Sequence, residues 1–251
     1  MSRARIRWEI VIVLGLSLGA SAVYSVITII ARATAGTALA DQTASVNPSR
    51  SEREWLDFTN QFLSLFFELF GVALVLYLLW APGRSAFSRL GLDLRKPRFD
   101  LTRGAGLFLA IGLPGIAFYA IGRLIGITVE VQASPLDTYW WTVPILIFSA
   151  LRAALVEEVI VVGYLFTRLK ELHWSPWWII GAAALLRGSY HLYQGYGPFV
   201  GNVVMGLVFG WCYLRWGRVM PLVIAHALLD IASFVGYPLA VSLWPAIFAS
   251  G

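Results

Sequence analysis

Apolar residues run along this chain in long blocks, roughly 9–33, 55–81, 105–127, 141–167, 175–192, 199–214, 219–235 and 238–250, broken by short polar or basic stretches. A helix needs about 20 mostly apolar residues to cross a hydrocarbon core about 30 Å thick. The blocks are continuous rather than alternating. They therefore predict helices and not a barrel, because lipid cannot satisfy a backbone that leaves N–H and C=O groups free. The fold expected is an all-α polytopic transmembrane helical bundle of about 8 spans, or about 7 if the short last block crosses only partly. Residues 1–251 read as a single integral membrane domain, with no internal repeat and no low-complexity tract. The first block follows Arg3, Arg5 and Arg7. It exceeds the roughly 7–15-residue core of a signal peptide, so it reads as a retained span.

Composition agrees. The chain is 59% hydrophobic and only 13% charged, where soluble domains carry about a quarter charged residues. The net charge of +5 does not imply nucleic acid, because the basic residues lie between apolar blocks rather than on a soluble module. They assign sides instead. Stretches 3–7, 84–103, 168–170 and 215–218 fall on one side and the acidic 128–139 stretch on the other. The positive-inside rule then puts the N-terminus in the cytoplasm of a multi-pass cell-membrane protein whose surroundings are the lipid bilayer. Trp140, Trp141, Trp174, Trp177 and Trp178 lie at block ends, where an interfacial belt belongs. The single cysteine, Cys212, lies inside a block and reads as packing.

Against this background the stretch "ALVEEVIVVGYLFTRL", residues 154–169, places two carboxylates in oil. The ionisable residues left at membrane depth are Glu68, Arg123, Arg152, Glu157, Glu158, Arg187, His191, His226 and Asp230. Each costs several kcal/mol at the bilayer centre unless it faces the bundle interior with a partner or a task. Arg187 and His191 are four apart, as are His226 and Asp230, which places each pair on one helical face. Glu157 and Glu158 are about 100° apart on a helix. One is expected to face a site and the other a structural partner. Rise per residue puts Glu157 about 16 Å, His226 about 12 Å and His191 about 24 Å from their basic ends. The site is thus expected in the middle to outer half of the membrane, opened to water by a cavity. Spacing alone names no partner for Glu68, Arg123 or Arg152.

A carboxylate and a histidine converging on water suffice for general-base hydrolysis, and a second histidine with a group one turn on can hold an oxyanion. Two His and two Glu also suit zinc, although no HExxH helix is present. Chains of Glu, His and Asp in membranes serve proton relays and transporters as well.

The motifs resemble those of the CAAX-protease and bacteriocin-processing (CPBP, Abi) family of intramembrane endopeptidases. That family carries EExxxR, FxxxH and HxxxN or HxxxD on successive membrane helices. The matching stretches are "EEVIVV" (Glu157 to Val162), "RGSYH" (Arg187 to His191) and "HALLD" (His226 to Asp230), in the same order. The resemblance covers roughly 140–237, which would be the catalytic core. It implies peptide-bond hydrolysis in a membrane-associated protein or peptide. Glu157 would activate water with His191 as partner, His226 and Asp230 would form the oxyanion site, and Glu158 would support them. It implies no cofactor; if a divalent metal such as zinc takes part, Glu157, His191 and His226 would be its ligands.

This chain departs twice from the family pattern, with Val162 for the arginine and Arg187 for the phenylalanine. Arg187 is expected to return the lost charge to Glu158 from the neighbouring helix. Asp230 is expected to orient His226 by accepting its N–H. The departures keep a rival in view, a catalytically inactive relative that binds membrane peptides as a scaffold.

Overall fold

The computed structural model describes residues 2–132, 134, 136 and 139–243. Its elements in chain order are α1 (Arg3–Gly15), α2 (Leu18–Ala33), β1 (Thr43–Ser45), α3 (Glu54–Leu79), α4 (Ala86–Leu90), α5 (Pro97–Leu124), β2 (Glu130–Gln132), α6 (Thr142–Glu157), a π-helical segment (Glu158–Tyr164), α7 (Leu165–Glu171), α8 (Pro176–Ser189), α9 (Tyr196–Trp216), α10 (Met220–Ile231), a second π segment (Ala232–Gly236) and α11 (Tyr237–Leu243). This is an all-α membrane bundle. Prolines open α5, α8 and α10 in the first turn, where a missing N–H costs nothing. The last apolar block lies mostly outside the described residues.

Among the described residues four helices are long and apolar enough to cross a membrane: α3, α5, α9 and the run Met220–Ala240. A fifth is counted if α1 and α2 are taken as one span, and these two are bent by 57°. The first apolar block is therefore a broken helix rather than a straight one. The break falls at Ser17, whose hydroxyl donates to the Val13 carbonyl at 2.6 Å. Two further blocks fall outside that set for physical reasons. Helix α8 has 14 residues, about 21 Å at 1.5 Å per residue. The helical run from α6 through the π segment to α7 carries Arg152, Glu157 and Glu158 within two turns.

That charged run is the centre of the bundle. Every residue from Val156 to Phe166 is buried, because α3, α8, α9 and α10 pack around it. A helix shielded from lipid on all sides can hold ionised groups that a lipid-facing helix cannot. The outer helices show the inverse pattern, with Phe66, Phe67, Phe70, Leu109, Leu113 and Ile116 exposed.

Ion pairs lock one end of the bundle. Arg168 reaches Glu9 (2.7 Å), Glu171 (2.9 Å) and the Leu78 carbonyl (2.9 Å), which ties α1 and α3 to α7. Arg89 pairs with Glu171 at 2.8 Å, and Arg218 pairs with Asp93 and Asp100 at 3.0 and 2.6 Å. Gly91, with φ of +63°, ends α4 here. A Cβ on it would lie 2.6 Å from the Arg218 Cα, so only glycine lets the α9–α10 turn seat on α4. At the opposite end β1 and β2 pair in parallel, Thr43 opposite Glu130, and join the polar 34–53 loop to the acidic stretch. Arg123 is held there by the Ala40 and Thr128 carbonyls at 2.6 and 3.1 Å. Trp140, Trp174, Trp177 and Trp178 are exposed at helix ends, but Trp141 is buried, stacked on Tyr139 and edge-on to Phe58. It belongs to the core rather than to the interfacial belt.

Candidate active site

Glu157 ends α6, Glu158 opens the π segment, Arg187 lies in the last turn of α8, and His226 and Asp230 lie on α10. The bundle brings these five side chains together. π turns inside α-helices are frequent at functional sites, and this one begins at the second glutamate.

Glu158 has no exposed surface, and neither does Arg187. Arg187 Nη2 donates to Glu158 Oε1 at 2.5 Å, and His226 Nδ1 lies 2.7 Å from the same oxygen. A carboxylate oxygen accepts, so Nδ1 of His226 carries the hydrogen in this contact. The Arg187 guanidinium also lies over the Phe209 ring, 5.4 Å from its centroid. Helix α9 comes this close because residue 206 is glycine: a Cβ there would meet the Ala184 Cα at 2.8 Å. The charge missing at Val162 is thus supplied from α8.

Glu157 is held by its other oxygen. Its Oε2 accepts from the Tyr190 hydroxyl at 2.7 Å and lies 3.4 Å from Arg187 Nη1 and 3.9 Å from His226 Nε2. The two glutamates therefore do not part company as helical spacing suggested. Arg187 and His226 each present two nitrogens, and each bridges both carboxylates. What separates the glutamates is their remaining oxygen. Glu158 Oε2 is buried with no partner among the described residues. Glu157 keeps 11% of its side chain exposed, and its Oε1 makes no hydrogen bond among the described residues.

Asp230 sits one turn beyond His226, with Oδ2 3.5 Å from Nε2 and a side chain 21% exposed. That distance is long for a hydrogen bond. The short contact to the ring comes from Glu158 at Nδ1, while Asp230 stays within ion-pair reach of Nε2. His191 stands apart from the expected helical face as well. Helix α8 stops at Ser189, and His191 enters a 3-10 turn over Leu192–Gln194. Its Nδ1 lies 3.0 Å from the Arg187 carbonyl. A carbonyl can only accept, so Nδ1 carries the hydrogen and Nε2 of the neutral ring is the acceptor. His191 makes no ion pair or hydrogen bond with Glu157 among the described residues, although the two interact electrostatically. No group of three or more His, Cys, Asp or Glu among the described residues is arranged to hold a metal ion.

Three relationships escaped the reading of the sequence. Tyr190, the nearest partner of Glu157, is the residue before His191 in the quoted "RGSYH". A phenol hydroxyl at membrane depth next to a motif histidine was the available signal. Arg152 and Glu68, left without partners, pair with each other between α6 and α3 at 2.9 Å. Glu9, at the start of the first block, accepts from both Tyr164 and Arg168 below the site.

Residues 139–232 match the family model described as Type II CAAX prenyl endopeptidase Rce1-like. Over that segment the chain is similar to the CAAX-protease family. The matched stretch runs from before α6 through Ala232, so it contains Glu157, Glu158, Arg187, His191, His226 and Asp230. Helices α1 to α5 lie before it, although α3 and α5 pack directly on helices of the matched segment. Comparison with the curated proteins and with the solved structures gives no match.

Proposed function

We propose that the protein is an intramembrane endopeptidase that hydrolyses a peptide bond of a membrane-associated protein or peptide with water activated by Glu157. The asymmetry of the glutamate pair carries this reading. Glu157 has one oxygen anchored to Tyr190 and the other without a hydrogen bond among the described residues, on a side chain that keeps 11% exposure; Glu158 has one oxygen that accepts two hydrogen bonds and the other buried with no partner among the described residues. Only the first arrangement leaves a lone pair for a water proton.

In the reaction Glu157 Oε1 takes a proton from water as the water oxygen attacks the substrate carbonyl carbon. The carbonyl oxygen becomes an oxyanion. His226 donates its Nδ1–H to Glu158, so its Nε2 donates to that oxyanion when the ring is protonated, with Asp230 bordering the same space. The C–N bond then breaks, and Glu157 returns the proton to the leaving amine. His191, with Nε2 as acceptor, orients the attacking water. Arg187 places a fixed positive charge beside both glutamates throughout.

The family's description names a prenyl endopeptidase, which makes a lipid-bearing protein C-terminus the substrate class to try first. The reading places the N-terminus in the cytoplasm of the cell membrane, with the α6–π–α7 run and α8 also crossing, for about eight spans in all. The scaffold alternative rests on Val162 and Arg187, and the Arg187–Glu158 pair weakens it by restoring the charge.

The deciding experiment compares protein termini in host membranes carrying wild type or Glu157→Gln at equal expression. Fragments present only with wild type are expected. Identical termini with a folded variant would leave the scaffold reading in place.

A further inference from the structure

We propose that Tyr190 is the positioning residue for Glu157, and that Ser25 of α2 holds Tyr190 in place, so that a helix outside the matched segment belongs to the catalytic apparatus. The proposal rests on the reading of Glu157 as general base.

Tyr190 is 6% exposed and makes the one short contact to the Glu157 carboxylate among the described residues, 2.7 Å from Oη to Oε2. The other two contacts of that oxygen, at 3.4 and 3.9 Å, are too long to fix its orientation. Arg187 is a fork that can take both oxygens of a carboxylate, and its Nη1 already stands near Glu157. Without the phenol, Glu157 can turn onto this fork and withdraw Oε1 from water. The phenol holds the carboxylate short of that collapse.

Tyr190 needs its own support, because α8 ends one residue earlier and the carbonyls of a last helical turn have no partner within the helix. The Tyr190 carbonyl accepts from the Ser25 hydroxyl at 3.0 Å, 165 residues away in the chain. Serines and threonines within apolar helices usually bond back to their own helix, as Thr28 does to the Tyr24 carbonyl. Ser25 is 6% exposed and reaches across to the turn instead. A continuous chain thus runs from Ser25 through Tyr190 to Glu157.

The test uses full-length protein in lipid nanodiscs and a fluorogenic peptide copied from the cleavage site that the terminus comparison maps. Tyr190→Phe keeps the ring and removes the hydroxyl. It is expected to lower kcat by about 10- to 100-fold, the scale of a misplaced catalytic group, with KM within about 2-fold and the melting temperature nearly unchanged. Ser25→Ala is expected to lower kcat by about 3- to 10-fold, and the double variant to be no worse than Tyr190→Phe within about 2-fold, because both act through one contact. A Tyr190→Phe enzyme with wild-type kcat, or two effects that multiply, overturns the proposal. If Tyr190→Phe does not fold, Ser25→Ala alone decides, and unchanged kcat refutes it. An active Glu157→Gln enzyme, or no Glu157-dependent fragment at all, removes the base reading and this proposal with it. An inactive Glu157→Gln beside a fully active Tyr190→Phe removes this proposal only.

Discussion

Arg187 and Glu158 form an ion pair in which neither side chain has any surface exposed. Two charges so placed are costly to bury and are repaid only by each other and by further hydrogen bonds. Glu158 Oε1 meets that condition through Arg187 and His226 together, whereas Glu158 Oε2 and Arg187 Nε have no partner among the described residues. Arg187→Leu leaves the carboxylate buried without its cation. A loss of about 3–5 kcal/mol in stability is expected, read as poor accumulation in membranes and a lower melting temperature in detergent. Wild-type melting of this variant would mean that His226 alone neutralises Glu158.

The same relationship predicts a swap. The family pattern has arginine where this chain has Val162 and phenylalanine where it has Arg187. Val162 is 2% exposed in the π segment, one turn from Glu158. Moving the charge back, with Val162→Arg and Arg187→Phe together, is expected to recover at least half of the melting temperature lost by Arg187→Phe alone. The coupling is the non-additivity of neighbours, and Phe209, which now meets the guanidinium, gives the new ring an aromatic neighbour. Val162→Arg alone is expected to destabilise, since it adds a second buried cation beside a carboxylate that Arg187 already neutralises. If the double variant is no better than Arg187→Phe, the two positions do not serve one charge.

Much of this was legible from residue types and spacing. The apolar blocks marked the helices, and the charges left at depth marked the positions that converge. Loss of arginine at 162 and gain at 187 marked a pair that the bundle does form. What stayed hidden depended on where helices stop and turn. The end of α8 at Ser189 gives Tyr190 a free carbonyl and sends His191 into a turn, and no periodicity signals that stop. The opposed directions expected for Glu157 and Glu158 assumed that each partner touches one carboxylate. A guanidinium and an imidazole are wide enough to span both. Glu68 and Arg152 lie on different helices 84 residues apart, so only the packing of α3 on α6 could join them.

Asp230 and Glu158, two of the carboxylates beside His226, make opposite predictions for substitution. Asp230 lies 3.5 Å from Nε2 and is partly exposed, while Glu158 lies 2.7 Å from Nδ1 and is sealed. Asp230→Asn therefore keeps the ring in place. It is expected to leave the melting temperature unchanged and to change cleavage by less than about 10-fold, within the range of a group that borders the reacting atoms without holding them. Glu158→Gln removes the charge that both Arg187 and His226 meet, and is expected to lower stability as Arg187→Leu does. Equal melting losses in the two variants would return the orienting role to Asp230.

The ion-paired end of the bundle carries a pH dependence outside the spans. Partial burial alone would raise the Asp93 carboxyl, but the Arg95 backbone N–H and the Arg218 guanidinium outweigh it and hold Asp93 below its ordinary value of 3.8. A carboxylate depressed by folding contributes stability that is fully present above the unfolded value. That contribution fades as pH falls through the lower folded value. Asp93→Asn keeps an oxygen for both donors, which stand at 3.1 and 3.0 Å from Oδ1, and removes only the charge. Wild type is expected to melt above Asp93→Asn at pH 6, with the gap closing below pH 3.8. In 1 M salt the gap at pH 6 is expected to shrink, because Asp93 retains 16% exposure and screening reaches it. Thermal melts of the two proteins across pH 3 to 6 at low and high salt read this directly, and a gap that does not vary with pH would mean that Arg218 is held by Asp100 alone.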